Sequence, residues 1–125
     1  MRALLIDDSR AMRLILGRML RELGFDIMEA ANGQEGLARL DEGAEPDLVL
    51  VDWNMPEMSG IEFVEAARRP PYCSTAKLVM VTTEIEVPKV TQALDAGADE
   101  YVMKPFTKDV LFEKLNLLGF ERRVG

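Results

Sequence analysis

The chain has 125 residues, 48% hydrophobic and 30% charged, and this composition excludes a disordered protein. Its net charge of -7, from 22 acidic and 15 basic residues, argues against non-specific binding to nucleic acid. It has no histidine and one cysteine, which excludes a Ser-His-Asp triad, a His-ligated zinc and an internal disulfide, and leaves any chemistry to carboxylates, hydroxyls and lysine.

The length predicts a single domain over residues 1–125, because a core of this size rarely splits. The sequence contains no internal repeat, low-complexity tract or linker. Its apolar stretches are too short for the core of a signal peptide or for a membrane span. Together with the lone cysteine, this predicts a cytoplasmic protein that does not enter a membrane.

Five short apolar runs predict five strands, at residues 3–6, 25–30, 48–51, 78–81 and 101–103. The third and fourth runs are continuous rather than alternating, which is typical of parallel strands buried on both faces. The second run mixes apolar and acidic residues, as an edge strand does.

The intervals between the early runs have helical patterns. The first helix follows Ser9, ends at Gly24 and has five apolar residues on one face: Met12, Ile15, Leu16, Met19 and Leu23. The pairs Asn32/Glu35 and Ser59/Glu62 have capping-box spacing and predict the starts of the second and third helices.

The remaining helices are bounded by proline, glycine and threonine. The third must end before Pro70, and Pro88 suits the first turn of a fourth that ends near Gly97. Thr107 caps a fifth, which has Leu111, Leu115 and Leu118 on one face. A βα unit repeated five times predicts the α/β class, with a parallel sheet covered by helices on both faces.

Ligands bind such sheets at the carboxyl ends of the strands, and there the sequence is polar. Asp7 and Asp8 follow the first run, Asp52 the third, Thr82 the fourth and Lys104 the fifth. Taken singly, an aspartate here is as compatible with a cap or a turn as with a site, Lys104 is most often a solvated charge, and Thr82 is most often a strand-end or cap hydroxyl. Taken together, three carboxylates without histidine or cysteine favour a hard divalent cation, Mg²⁺ or Mn²⁺.

Lys104 and Thr82 extend this interpretation from a metal to a phosphoryl group. Lys104 provides a positive charge for one phosphoryl oxygen, and Thr82 provides a hydroxyl donor for another. A carboxylate would be the nucleophile, since aspartate can form an acyl phosphate.

The sequence resembles bacterial response-regulator receiver domains along essentially its whole length. Four stretches carry the resemblance: Ile6-Asp7-Asp8-Ser9, Val51-Asp52-Trp53-Asn54-Met55-Pro56, Met80-Val81-Thr82-Thr83-Glu84 and Tyr101-Val102-Met103-Lys104-Pro105-Phe106. Within the family it looks most like the single-domain chemotaxis regulators. The resemblance implies the flavodoxin-like receiver fold, a five-stranded parallel sheet of order 2-1-3-4-5 with five helices.

The resemblance also implies a role for each residue of the site. Asp52 would be the phosphoacceptor. Mg²⁺, for which Mn²⁺ can substitute, would be held by Asp7, Asp8, Asp52 and the backbone carbonyl of Asn54. Lys104 would bind the phosphoryl group, and its peptide bond to Pro105 would be cis.

Four residues would control the response. Thr82 would be the switch hydroxyl and would also bind the phosphoryl group, while Tyr101 would be the switch aromatic. Asn54 and Glu84 would tune hydrolysis by steering or shielding the attacking water, and their pairing predicts rapid self-dephosphorylation.

The implied protein is a monomeric signalling switch rather than a metabolic enzyme. A histidine kinase would supply the phosphoryl group, the chain would catalyse its own phosphotransfer and dephosphorylation, and the fourth helix, fifth strand and fifth helix would then bind a target protein. Whether a partner phosphatase exists is left open. So is the pathway, since standalone receivers also serve phosphorelays outside chemotaxis.

Three other classes of protein compete with this interpretation. A haloacid-dehalogenase-like phosphatase would need an Asp-x-Asp after the first strand, where this chain has adjacent Asp7 and Asp8. A flavodoxin-like FMN carrier would need a phosphate loop at the same place, where these carboxylates repel phosphate. A phosphate-independent docking domain would usually have lost part of the acidic set, which is intact here.

Overall fold

A computed structural model describes residues 1–53, 55, 57–72, 74–82 and 87–120, except for the side chains of 87–90. Strands and helices alternate strictly in this part of the chain. The strands are β1 (Arg2–Ile6), β2 (Asp26–Ala30), β3 (Leu48–Asp52), β4 (Lys77–Thr82) and β5 (Glu100–Met103). The helices are α1 (Arg10–Glu22), α2 (Gly33–Asp41), α3 (Gly60–Arg68), α4 (Val87–Ala96) and α5 (Lys108–Leu117).

The five strands form one parallel sheet in the order β2-β1-β3-β4-β5, which confirms the predicted fold class and strand order. The central strands are nearly continuous runs of buried residues. Alternate residues of these strands contribute to two hydrophobic clusters, one with α1 and α5, the other with α3 and α4. The predicted edge strand, β2, does lie at an edge, and its central residues are only partly buried.

The caps predicted at Asn32, Ser59 and Thr107 form, with one difference in detail, and Ser9 caps the first helix in the same way. Ser9, Asn32, Ser59 and Thr107 all accept a hydrogen bond from the third residue after them. Ser59 and Glu62 make the complete reciprocal capping box. Glu35, in contrast, accepts from the side-chain amide of Asn32, so that box is only half formed.

Two residues are placed differently from the prediction, one from an apolar run and one from helical periodicity. Phe25 precedes β2, and its amide donates to the Leu20 carbonyl, because the chain is still turning out of α1 although the ring is buried. Ile15, predicted on the buried face of α1, is 46% exposed because it lies at the boundary of that face. In the part of the chain that the structure describes, no helix is both long and apolar enough to cross a membrane.

The arginine at the end of α3 ties together three segments at the amino-terminal edge of the sheet. Arg68 donates to the backbone carbonyls of Gly97, Ser74 and Ala76, and its Nη2 lies 2.9 Å from the Asp99 carboxylate. That same carboxylate also accepts from the Leu78 amide. A planar guanidinium has five N–H donors spread over three nitrogens and can reach acceptors on three segments, whereas an ammonium has three donors on one atom.

Arg68→Ala should therefore destabilise the fold by about 3 kcal/mol, because several partly buried acceptors lose a charged donor. Arg68→Lys should recover less than half of that loss. Urea unfolding provides the measurement, with Arg69→Ala as the control, since Arg69 is 71% exposed and pairs only with Glu65 among the described contacts. A loss below about 1 kcal/mol for Arg68→Ala would show that the contacts contribute little.

Candidate functional site

The polar residues predicted to converge do meet at the carboxyl edge of the sheet. Asp7 directly follows β1, Asp52 and Thr82 end β3 and β4, and Lys104 directly follows β5. Backbone pairing continues past the strands, since the Lys104 amide donates to the Thr82 carbonyl over 2.6 Å. The positions of these side chains are therefore fixed by the sheet itself rather than by mobile loops.

Three carboxylates form the centre of the site. Asp7, Asp8 and Asp52 each offer an oxygen, and these oxygens lie within 4.8 Å of one another. Asp7 is 2% exposed, whereas Asp8 is open to solvent. Unit charges this close repel by about 1 kcal/mol per pair even in bulk water, and by more where solvent is excluded. The cluster therefore gains energy from a cation.

Lys104 supplies one positive charge to this cluster. Its Nζ lies 3.3 Å from Oδ2 of Asp7 and 3.7 Å from Oδ1 of Asp52. The Lys104 side chain is 18% exposed and that of Asp52 is 12% exposed, so solvent screens the contact only in part. The ammonium thus lies beside the carboxylate predicted to take up the phosphoryl group.

These residues fit the divalent cation predicted from the sequence. All the donors are carboxylate oxygens, the ligands preferred by Mg²⁺, and the exposure of Asp8 leaves room for the waters that Mg²⁺ retains. One ammonium offsets one of the three negative charges, which leaves the cluster negative. The carbonyl of Asn54, the fourth predicted ligand, lies outside the described residues.

The two predicted switch residues share one face of the sheet. Thr82 is 6% exposed and lies two residues beyond Met80, whose register partner on β5 is Tyr101. Tyr101 is half-buried against the cluster formed with α3 and α4, and Lys114 Nζ lies 4.6 Å from the centre of its ring. The two side chains therefore lie on the same face of neighbouring strands.

Two further predictions concern the peptide bond after Lys104 and the residue Glu84. The Lys104–Pro105 peptide bond is cis. Glu84, predicted to tune hydrolysis together with Asn54, lies outside the described residues.

Gly60 is a site residue that the sequence reasoning missed. A Cβ at this position would lie 2.6 Å from the backbone oxygen of Asp52 and 2.7 Å from Cε of Met80. The first turn of α3 can therefore approach the end of β3 only because this residue has no side chain. The available signal was a glycine directly after the cap Ser59, at a position where helix propensity disfavours it.

Gly60→Ala should displace the backbone of Asp52, since a carbonyl cannot yield as a flexible side chain does. We expect the free energy of unfolding to fall by about 2 kcal/mol. We also expect Asp52 to react more slowly, because its carboxylate is displaced from the position that the reaction requires. Urea unfolding and the rate of modification by acetyl phosphate measure the two effects. Gly43→Ala is the control for glycine removal, because nothing lies within 4 Å of its Cβ although its φ of +91° adds strain.

Comparisons with known proteins agree with this geometry. The family model for the response regulator receiver domain matches residues 3–116. The chain belongs to the response regulator receiver family. It is therefore a receiver domain of a two-component response regulator.

Several receivers from chemotaxis systems are similar over their whole length. The chemotaxis protein CheY1 of Helicobacter pylori is 40% identical over 119 residues, which cover 94% of this chain and 96% of that protein. CheY of Pseudomonas aeruginosa is 40% identical with complete coverage of both chains. The structure of CheY4 from Vibrio cholerae superposes with a TM-score of 0.85 at 33% identity, covering 93% of this receiver and 96% of that chain.

Proposed function

We propose that this receiver accepts a phosphoryl group on Asp52 from a histidine kinase in the cytoplasm, with Mg²⁺ required. The observation that carries the proposal is the convergence of three carboxylate oxygens within 4.8 Å, with Lys104 Nζ 3.7 Å from Asp52. Phosphorylation then favours an active arrangement of α4, β5 and α5 that binds a target protein.

The chemistry at Asp52 is an exchange of one bond for another. A carboxylate oxygen of Asp52 attacks phosphorus, the P–N bond of the donor phosphohistidine breaks, and the donor nitrogen retains the electron pair. When bound, Mg²⁺ neutralises charge on the phosphoryl oxygens and on the carboxylates. The Lys104 ammonium, which lies 3.7 Å from Asp52 Oδ1, would pair with an oxygen of the phosphoryl group once that group is attached.

The names of the relatives support a pathway. CheY1 of Helicobacter pylori and CheY of Pseudomonas aeruginosa, each 40% identical to this chain, are chemotaxis proteins, and we propose chemotaxis for this one. The proposed partners are therefore a chemotaxis histidine kinase and a downstream target protein.

Incubation with acetyl phosphate tests the acceptor directly. Mass spectrometry should detect one added phosphoryl group in the wild type with Mg²⁺ and none in the presence of a chelator. Asp52→Asn should remain unmodified, while the control Asp41→Asn, at an exposed aspartate on α2, should behave as the wild type. Equal modification of Asp52→Asn would refute the assignment of the acceptor.

Thr82→Ala should separate phosphorylation from switching. Without the hydroxyl, the phosphoryl group or its analogue beryllofluoride still binds at Asp52. Residue 82 can then no longer move toward that group to donate a hydrogen bond from its side chain. We expect the beryllofluoride-induced NMR shift changes in residues 100–117 to fall to less than half of the wild-type values. Thr75→Ala, at an exposed position, is the control. Unreduced shift changes in Thr82→Ala would assign the switch to other residues.

A further inference from the structure

An arginine of α1 contacts the backbone between the first two carboxylates of the site. Arg13 Nη1 donates to the main-chain carbonyl of Asp7 over 2.5 Å, and its Nε lies 3.0 Å from Oε1 of Glu29 on β2. The side chain is only 15% exposed, although it is charged.

The carbonyl that Arg13 binds belongs to the peptide that joins Asp7 to Asp8. This unit is planar, so fixing its oxygen also fixes the direction of the Asp8 amide and the position of the Asp8 Cα. Two of the three carboxylates of the cluster are attached at the two ends of this one plane. The distance between its two Cα atoms is constant, but its orientation sets the direction in which each carboxylate leaves the backbone.

The other contacts of Asp7 leave this orientation to Arg13. The Asp7 amide donates to Ala30, Oδ1 accepts from the Ser9 amide, and Oδ2 pairs with Lys104. Those contacts fix the start of the residue and its carboxylate. The bond from Arg13 is the described contact on the carbonyl itself.

The charge of Arg13 is balanced locally. Glu29 is 46% exposed and pairs with the guanidinium on the side away from the Asp7 carbonyl bond. A balanced pair adds little net charge to the cluster, so its effect on a cation at the site acts through geometry. Groups that orient metal ligands in this way typically change metal affinity by about 10- to 100-fold.

We propose that Arg13 is a positioning residue, which holds the Asp7–Asp8 peptide so that both carboxylates are preset for Mg²⁺. The inference rests on the proposed metal-dependent function of the site. It assigns to α1 a part in metal binding through the backbone, without contact between Arg13 and the cation.

Magnesium titration followed by the fluorescence of Trp53, which adjoins Asp52, tests the proposal without phosphorylation. Arg13→Met keeps an apolar stem at this position but removes the donors, and we expect the Kd for Mg²⁺ to rise about tenfold. Glu29→Gln leaves the carbonyl bond in place and should raise the Kd less than about threefold. Arg39→Met is the matched control, because Arg39 reaches the backbone of Glu29 from α2.

Two further readouts separate positioning from charge and from general destabilisation. Arg13→Lys should bind Mg²⁺ almost as weakly as Arg13→Met, since an ammonium on a shorter stem cannot serve both partners. Amide exchange at Ser9 in metal-free protein should accelerate in Arg13→Met and not in Arg39→Met. Wild-type affinity in Arg13→Lys would show that charge acts instead and would overturn the proposal.

The outcome also distinguishes this inference from the function on which it rests. If the wild type shows no saturable response to Mg²⁺, the proposed metal site is wrong. If the wild type responds and Arg13→Met binds Mg²⁺ as tightly as Arg39→Met, only the positioning role fails.

Discussion

Metal-free Asp8→Asn protein should be more stable than the wild type, and it should lose most of the stabilisation that Mg²⁺ provides. Asp8 brings a third negative charge to a cluster whose carboxylate oxygens lie within 4.8 Å of one another. Its side chain is exposed, so asparagine at this position leaves no buried group without a partner. Removing the charge relieves repulsion and at the same time removes a ligand.

The expected sizes of the two effects differ enough to be resolved. Relief of repulsion at an exposed position contributes about 1 kcal/mol or less. At a Mg²⁺ concentration 100 times the Kd, a bound ion stabilises the wild type by about 2.7 kcal/mol, which raises Tm by on the order of 10 °C. In thermal melts, Asp8→Asn should therefore have the higher Tm without Mg²⁺, and the wild type should have the higher Tm with Mg²⁺.

Asp7→Asn is the informative comparison, because the same change of charge has a different structural cost there. Asp7 is buried, accepts a hydrogen bond from the Ser9 amide over 2.8 Å and pairs with Lys104 over 3.3 Å. We expect the loss of the ion pair with Lys104 to offset the relief of repulsion, so that Asp7→Asn is no more stable than the wild type. Metal-free Asp8→Asn that melts below the wild type would contradict the account of repulsion at this site.

The sequence was sufficient to predict the strand ends because each functional residue follows a buried run. The runs at 48–51 and 78–81 leave their first polar side chain, Asp52 or Thr82, at the edge of the sheet. Parallel pairing then brings these ends together whatever the details of the loops. This is why Asp7, Asp52 and Lys104 could be placed without coordinates.

The sequence was insufficient where a contact depends on distance rather than on periodicity. Gly60 matters because α3 approaches the Asp52 carbonyl closely, and Arg13 matters because its guanidinium reaches one carbonyl of a distant strand end. Ile15 was misplaced for the same reason, since the width of a buried helix face depends on its neighbours. No pattern of residue types specifies such tertiary contacts.

Lys104→Met should differ from Asp8→Asn in that it still binds Mg²⁺ but takes up the phosphoryl group slowly. Methionine replaces the apolar stem of lysine as far as Cε and lacks the ammonium, so no cation of the chain competes there with Mg²⁺ for Asp7 and Asp52. We expect the Kd for Mg²⁺, measured by Trp53 fluorescence, to stay the same or fall. Lys108→Met is the control, because Lys108 is 50% exposed and pairs with Glu22 on the surface.

Phosphoryl uptake from acetyl phosphate should slow about 100-fold in Lys104→Met, since removing one donor to a developing oxyanion typically costs this much. Lys104→Arg should not restore the rate, because a planar guanidinium cannot replace a compact ammonium 3.3 Å from one carboxylate and 3.7 Å from another. Unchanged uptake in Lys104→Met would reduce Lys104 to a counter-ion of the metal-free cluster. Normal metal binding with slow uptake would instead show that the site uses two cations, one for the carboxylates and one for the group transferred.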